Sequence, residues 1–341
     1  MPVLLTGAAG FIGYHLAEAL LARGERVIGV DCVNDYYDPR LKAARLARLE
    51  RHAGFAFHRL DVADRAAMAE LAAGCADVEV VVHLAAQAGV RHSLVDPYAY
   101  VHSNVMGHLV VQETARRLPR LRHLVYASSS SVYGANRELP FAEGDRVDTP
   151  VSLYAATKRA DELMAYAYGH LFGLPQTGLR FFTVYGPWGR PDMAYYGFAR
   201  AIVAGEPITL YEGGRLRRDF TYIDDIVAGI LGCLDKPPVA APGAPPVRVL
   251  NIGNHRSEAV STLVTLLERA LGRRAVIRTA PRPEADVEET FASVEAIGQL
   301  TGFAPRTPLE EGIPRFAAWF RDFHGIVDWG KTGVDRSDGG A

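Results

Sequence analysis

The sequence has few cysteines, no long apolar run and no signal-peptide pattern. Its three cysteines, Cys32, Cys75 and Cys233, lie far apart and form no CxxC pair. This usage favours structural thiols in a reducing, cytoplasmic setting over a disulfide framework. No apolar stretch approaches the ~18 residues that a transmembrane helix needs. We therefore expect neither membrane insertion nor export.

The sequence also lacks a strong charge of either sign. Lysine plus arginine number 37 and aspartate plus glutamate number 39, giving a formal net charge of −2. This balance gives no reason to expect nucleic acid or an anionic membrane as a partner. No metal-ligand cluster appears, and we interpret His83, at a strand end, as a packed histidine. The composition is that of a globular chain with a substantial core.

A glycine-rich turn separates the first predicted strand, residues 3–6, from the first predicted helix. The turn carries Gly7, Gly10, Phe11, Ile12 and Gly13. Glycines at this spacing let the backbone turn tightly and approach a pyrophosphate, whose charge the helix N-terminus meets. The position between strand and helix predicts a dinucleotide-binding site.

The next predicted strand, residues 26–30, ends in Asp31. An acid about 20 residues beyond such a turn is placed to bind the ribose hydroxyls of the dinucleotide. Its carboxylate would repel a 2′-phosphate, and the following Cys32 and Val33 supply no cation to neutralise one. The sequence therefore predicts NAD rather than NADP.

Strands and helices alternate through the first 182 residues, which predicts a doubly wound parallel sheet. The arginines of a basic helix over 42–51 are expected to face solvent. A helix over 104–118 places Asn104 at its start, where it is expected to bond backbone near the strand that precedes the serine run. Further cofactor contacts are expected from Asp61, Val62, Leu84, Ala85, Ala86 and Gln87 at two strand ends, and from Asn104, Tyr154 and Lys158.

A serine run and a Tyr-Lys pair form a candidate acid–base centre. The serines, 128–131, follow a predicted strand over 123–127, and Tyr154 and Lys158 lie four residues apart on a predicted helix. A phenol with a pKa of roughly 10 becomes a base near neutral pH only when positive charge favours its phenolate. Lys158 would supply that charge, and Ser129 would hydrogen-bond the same substrate hydroxyl.

The alternation of strands and helices breaks beyond Arg190. Residues 183–326 are predicted to form a smaller α/β substrate-binding domain, with 1–182 as the NAD-binding domain. Within the second domain, residues 219–234 are expected to pack back on the first. The Gly- and Asp-rich tail, 327–341, is a candidate for disorder.

Together, these motifs resemble the extended short-chain dehydrogenase/reductases, which have a Rossmann-type fold. More narrowly, residues 34–38, 85–91 and 180–193 resemble UDP-glucuronate 4-epimerases, and the similarity extends to about His324. The resemblance implies bound NAD, a nucleotide-sugar substrate, inversion at the sugar C4 and a homodimer.

The resemblance also implies roles for individual residues. Tyr154 matches the catalytic base, Lys158 its partner and Ser129 the hydroxyl-binding position. Thr183 and Arg190 match positions associated with the sugar carboxylate, and Arg218 matches the position for the diphosphate. Arg91 is a further candidate for a substrate anion. The predicted substrate contacts are Arg91, Ser128, Ser129, Ser130, Thr183, Arg190 and Arg218.

Three alternatives remain beside a UDP-glucuronate 4-epimerase. They are a UDP-hexose 4-epimerase, a UDP-glucuronate decarboxylase and a catalytically idle NAD-binding scaffold. Related dehydratases and decarboxylases have an acidic residue just before Val-Tyr-Gly, where this chain has Ser130 and Ser131. A serine without a partner is not a competent base, so C4 oxidation without elimination is favoured. One departure from the family pattern is Ala285, where a glycine is usual.

Overall fold

The computed structural model describes residues 1–282 and 287–326. The predicted tail, 327–341, and the unusual Ala285 lie outside the described residues. The strands are β1 Pro2–Thr6, β2 Arg26–Asp31, β3 Phe55–Arg59, β4 Val80–His83, β5 His123–Ser129, β6 Gln176–Phe181, β7 Thr183–Tyr185, β8 Pro207–Tyr211, β9 Arg217–Arg218, β10 Phe220–Tyr222, β11 Val247–Ile252, β12 Glu258–Ala259 and β13 Val276–Ala280.

Helices connect most of these strands. They are α1 Phe11–Ala22, α2 Pro39–Leu49, α3 Arg65–Ala73, α4 Pro97–Tyr100, α5 Gly107–Ala115, α6 Leu153–Phe172, α7 Ala194–Ala204, α8 Ile223–Leu234, α9 Val260–Leu271, α10 Glu295–Thr301 and α11 Leu309–Phe323. A π-helical stretch, Val101–Met106, joins α4 to α5, and short 3-10 turns occupy His92–Leu94, Ser130–Tyr133 and Glu212–Gly214. None of the helices in the described ranges is both long and apolar enough to span a bilayer.

Seven parallel strands form the main sheet in the order β3-β2-β1-β4-β5-β6-β11. Because neighbouring residues of a strand point to opposite faces, Val3 and Leu5 pack in one apolar cluster and Leu4 in another. Helices cover both faces, so the predicted doubly wound sheet is confirmed. The strand order reverses between β1 and β4, where such sheets form a crevice at their carboxyl ends.

The sheet takes its last strand from beyond residue 182. The prediction of a second domain over 183–326 includes this strand, but β11 pairs in parallel with β6 over its whole length. In addition, α8 packs against α1. The remaining strands form three separate pairs, β7 with β10, β8 with β13, and β9 with β12. The domain boundary at 182 stays a prediction.

The helix predicted over 104–118 begins earlier than expected. Asp96 caps α4, accepting a hydrogen bond from the N–H of Ala99, and Pro97 occupies the first helical position. The chain then continues through the π-helical stretch into α5. Asn104 therefore lies inside a longer helical segment, and the prediction that it starts a helix is wrong.

Candidate active site

A single cavity contains most of the predicted site residues. It opens at the carboxyl ends of β1, β2, β4 and β5, next to the start of β7. The predicted residues that line it are Gly7, Gly10, Phe11, Ile12, Gly13, Asp31, Asp61, Val62, Leu84, Ala85, Ala86, Gln87, Ser128, Ser129, Ser130, Tyr154, Lys158, Thr183 and Arg190. The structure therefore joins the dinucleotide turn, the Tyr-Lys pair and Arg190 in one space.

The glycine-rich turn has no room for side chains at its ends. A Cβ on Gly13 would lie 2.0 Å from the carbonyl oxygen of Gly7, and Gly7 itself has a φ of +74°. The carboxylate of Asp31 closes the turn, accepting hydrogen bonds from the N–H of Ala9 at 3.1 Å and of Val33 at 2.8 Å. The turn and the acid thus form a cradle that fits a dinucleotide.

Tyr154 and Lys158 lie on the first two turns of α6. The side chain of Ser152 caps this helix, accepting a hydrogen bond from the N–H of Ala155 at 3.1 Å. Lys158 is 3% exposed. Its ammonium donates to the carbonyl oxygen of Ala127 at 2.9 Å and to Oδ2 of Asp161 at 3.1 Å. The Tyr-Lys pair therefore includes a carboxylate that we did not predict.

The hydroxyls of the serine run point in different directions. Ser128 donates to Oε1 of Glu162 at 2.6 Å, and Glu162 in turn pairs with Arg180 at 2.8 Å. Burial opposes ionisation of Glu162, yet Arg180 and Ser128 hold the pKa of its carboxyl below its usual value. Ser129 accepts a hydrogen bond from the N–H of Ser131 at 3.2 Å. The proton of Ser129 is therefore available to the cavity, whereas that of Ser128 is engaged by Glu162.

Arg190 reaches the cavity from the loop after β7. Its guanidinium forms two hydrogen bonds to Asp192, Nε to Oδ1 at 3.1 Å and Nη2 to Oδ2 at 2.9 Å. The hydroxyl of Tyr36 donates to the same carboxylate at 3.3 Å. The backbone N–H of Thr183 donates to the carbonyl oxygen of Asp219 at 3.1 Å. A cation held in one orientation thus lines the same cavity as the Tyr-Lys pair.

Three predicted residues do not line the cavity. Asn104 is buried, where its amide exchanges hydrogen bonds with the backbone of Gln87 and donates to Oγ1 of Thr157 at 3.0 Å. It therefore supports the backbone of the loop after β4, the strand that pairs with β5, and its predicted role as a cofactor contact stays a prediction. The guanidinium of Arg91 stacks over the ring of Tyr211 at 5.2 Å. Arg218 donates to the carbonyl oxygen of Glu288 at 3.2 Å, and its role stays a prediction.

The segment between β2 and α2 contributes cavity residues that we missed. Tyr36 and Tyr37 line the cavity, as does Lys42 on α2, although we gave the segment no role beyond its family resemblance. The arginines of the basic helix were expected to face solvent, and this is wrong for Arg45, which is fully buried. Arg45 donates to the carbonyl oxygens of Ala9 and of Trp188 and Gly189 in the Arg190 loop.

His83 is a packed side chain and does not have the surroundings of a metal ligand. One ring nitrogen lies 2.7 Å from Oγ1 of Thr6, and the ring contacts that of His108. Burial, with a smaller effect of Lys158, lowers the pKa of His83 to about 3. Across residues 1–282 and 287–326, no group of three or more acidic, histidine or cysteine side chains is arranged to hold a metal ion.

This cavity has the features of a dinucleotide-dependent enzyme with a Tyr-Lys acid–base pair. The family model of the NAD dependent epimerase/dehydratase family matches residues 3–253, and the chain belongs to this family. The chain is 47% identical over 332 residues to a probable UDP-glucuronate 4-epimerase of Rhizobium meliloti, covering 94% of this chain and 97% of the relative. It is also 47% identical to UDP-glucuronate 4-epimerase 3 of Arabidopsis thaliana, covering 94% of this chain and 77% of the relative.

A solved structure gives the same result. The crystal structure of UDP-glucuronic acid 4-epimerase from Bacillus cereus, in complex with UDP-glucuronic acid and NAD, matches with a TM-score of 0.86 at 31% identity. The match covers 95% of this chain and 100% of the other. The resemblance predicted from the sequence motifs is confirmed.

Proposed function

We propose that this protein interconverts UDP-glucuronate and UDP-galacturonate by transient oxidation at the sugar C4, with NAD held tightly through each turnover. The observation that carries the proposal is the single cavity that joins the dinucleotide cradle, the Tyr-Lys pair and Arg190. A dinucleotide site alone would fit many dehydrogenases. The cation in the same cavity adds a partner for the uronate carboxylate.

The residues of the cavity fit an NAD molecule. The turn from Gly7 to Gly13 would hold the pyrophosphate, and Asp31 the adenosine ribose. Asp61 and Val62 would border the adenine, and the small residues from Leu84 to Ala86 leave room for a flat ring. When bound, NAD supplies the acceptor and donor for the C4 hydrogen.

Tyr154, Lys158 and Ser129 would carry the proton chemistry. The phenolate of Tyr154 removes the proton of the C4 hydroxyl, and Ser129 donates a hydrogen bond to the same oxygen. After the 4-keto sugar has turned its other face to the cofactor, Tyr154 returns the proton. Ser130 and Ser131 place no carboxylic acid beside the sugar, so the chain offers no base there for elimination.

The 4-keto intermediate is a β-keto acid, which readily loses carbon dioxide. Arg190 and Thr183 would bind its carboxylate and hold it in an orientation that disfavours this loss. The hydrogen bonds from Arg190 to Asp192 fix the guanidinium plane before the substrate arrives. A carboxylate held in this way favours return of the hydride over loss of carbon dioxide.

Incubation of the purified protein with UDP-glucuronate and no added cofactor tests the proposed function. We expect NMR to show the galacturonate isomer accumulating to an equilibrium mixture, because the retained NAD is regenerated in every turnover. A pentose product with release of carbon dioxide would instead indicate a decarboxylase. Turnover of UDP-glucose alone would indicate a hexose epimerase, and bound NAD without turnover of any nucleotide sugar would indicate an idle scaffold.

We also propose that the protein forms a homodimer. Apolar side chains are exposed on the segment from 92 to 106 and on the adjoining α6, as expected for a surface that packs against a second copy. They include Leu94, Val95, Tyr98, Val101, Leu163 and Tyr166, which are 48–84% exposed.

Light scattering coupled to size-exclusion chromatography tests the dimer. The expected mass is twice the chain mass of 37.1 kDa. Replacing both Tyr98 and Leu163 with aspartate is expected to give a monomer, because charge on this surface opposes its burial. A wild-type protein that elutes as a monomer at micromolar concentration would rule out the proposal.

A cytoplasmic location is proposed as well. Its support is the state of Cys32, Cys75 and Cys233, all of which are free thiols. Cell fractionation with an antibody against the protein tests this location.

A further inference from the structure

The structure places a carboxylate directly against the cation of the Tyr-Lys pair. Lys158 and Asp161 lie one helical turn apart on α6, with Nζ 3.1 Å from Oδ2. Their side chains are 3% and 1% exposed, so water screens the two charges very little. The ammonium of Lys158 therefore does not act on Tyr154 as an isolated positive charge.

Asp161 depends on Lys158 for its stabilisation. Its second oxygen, Oδ1, is buried and accepts no hydrogen bond from any residue that the structure describes. The adjacent Glu162 pairs instead with Arg180 and Arg159. Burial raises the pKa of Asp161 to about 6, although Lys158 acts in the opposite direction. The carboxyl group is therefore easier to protonate than that of an exposed aspartate.

The other ionisable groups that face this pair keep a constant charge near neutral pH. His83 on β4 and His108 on α5 are neutral, because burial lowers the pKa of the first to about 3 and that of the second well below its usual value. Tyr126 on β5 is neutral, because burial raises its pKa well above 10. The pKa of Glu162 is lowered, so this group stays ionised and paired with Arg180.

Tyr154 has two further neighbours in the cavity. The ring of Tyr100 meets that of Tyr154 edge to face at 6.0 Å, and burial raises the pKa of Tyr100, which stays neutral. Arg190 also interacts electrostatically with Tyr154, and it remains cationic. Neither neighbour changes its charge between about pH 5 and 9.

Building on the proposed function, we propose that Asp161 is a positioning residue for Lys158 whose carboxylate offsets the ammonium charge and thereby limits the acidity of Tyr154. With Asp161 ionised, the Lys158–Asp161 pair is neutral overall. With Asp161 protonated, or replaced by a neutral residue, the pair carries a full positive charge. That charge favours the phenolate of Tyr154.

The size of the effect follows from the helix geometry. Tyr154 and Asp161 are separated by seven residues, or about 10 Å along the helix axis. A unit charge at about 10 Å in a medium with an effective dielectric constant of about 20 changes a pKa by about one unit. Asp161→Asn is therefore expected to make Tyr154 more acidic by about one pH unit.

The pH profile of kcat with UDP-glucuronate gives the first readout. In Asp161→Asn, the amide oxygen can still accept a hydrogen bond from Lys158. The midpoint of the rise in kcat on the acidic side of the profile is expected to move about one pH unit lower. Asp161→Glu is expected to restore the wild-type midpoint, because it returns a carboxylate. Glu113→Gln is the matched control, because Glu113 contacts Tyr168 on α6 about 21 Å along the helix from Tyr154. Its midpoint is expected to stay unchanged.

A direct titration of Tyr154 gives a second readout that requires no turnover. The ultraviolet absorbance of tyrosinate is followed against pH in the wild type and in Asp161→Asn, and the signal of the matching Tyr154→Phe protein is subtracted from each. The midpoint of Tyr154 is expected to be lower in Asp161→Asn. Should this variant not fold, Asp161→Ser carries the same test, with thermal denaturation as the check on folding.

The two readouts separate this inference from the proposed function. A lower tyrosinate midpoint in a protein that turns over no nucleotide sugar would support the role of Asp161 and reject the epimerase. An active epimerase whose midpoint is unchanged in Asp161→Asn would reject the role of Asp161. A midpoint that moves to higher pH would also overturn it, because Asp161 would then serve to keep Lys158 protonated.

Discussion

Replacing Tyr154 with phenylalanine is expected to lower kcat for UDP-glucuronate by at least about 10³-fold, because the substitution removes the proposed proton acceptor. Positioned acid–base groups contribute roughly 10²–10⁴-fold to enzymatic rates. The phenylalanine ring retains the packing against Tyr100, whose ring centre lies 6.0 Å away. Lys158 keeps its hydrogen bond to the carbonyl oxygen of Ala127. The fold and the bound NAD are therefore expected to persist.

The measurement compares single-turnover reduction of the bound NAD with steady-state epimerisation. Both are expected to fall together in Tyr154→Phe, because proton removal accompanies the first oxidation. Tyr166→Phe, on the same helix but 55% exposed, is the matched control and should retain wild-type rates. A Tyr154→Phe protein with kcat within tenfold of the wild type would show that another group accepts the proton.

The first half of the fold could be predicted because its signals are local. The apolar strands, the glycine turn and the helix ends each depend on residues close together in the sequence. Gly173, for example, ends α6 with a φ of +65°, a conformation that glycine adopts readily. Pairing between distant strands has no such local signal. Val247–Ile252 reads clearly as a strand, yet nothing in it identifies β6 as its partner.

The same distinction applies to the site. Residues at strand ends, such as Asp31, could be predicted, since parallel strands deliver their carboxyl ends to one edge. The burial of Arg45 could not be predicted, because a charged residue on a basic helix normally faces solvent. It is buried because carbonyl oxygens from two distant loops, at Ala9 and Trp188, converge on its guanidinium. Asp161 differs from Arg45, because it lies three residues after Lys158 on the same helix and the pairing is a local signal that we did not use. What the spacing does not show is that the pair is buried, at 3% and 1% exposure.

Replacing Arg190 with methionine is expected to raise KM for UDP-glucuronate about 10- to 100-fold and to change KM for UDP-glucose by less than about threefold. Hydrogen bonds to charged groups contribute roughly 1.5–3 kcal/mol. UDP-glucuronate has a carboxylate that would lose these hydrogen bonds in the variant, whereas UDP-glucose has none. Methionine is a flexible apolar residue that fills part of the space of the arginine stem. The neutral sugar therefore keeps its remaining contacts.

Asp192 modifies this expectation. Its carboxylate holds the Arg190 guanidinium through two hydrogen bonds and competes with the uronate for the same donors. Steady-state kinetics with both nucleotide sugars measures the ratio of the two KM changes. Arg146→Met is the matched control, because the side chain of Arg146 is 91% exposed and forms an ion pair with Asp148. Equal losses for the acidic and the neutral sugar would show that Arg190 supports the loop rather than the carboxylate.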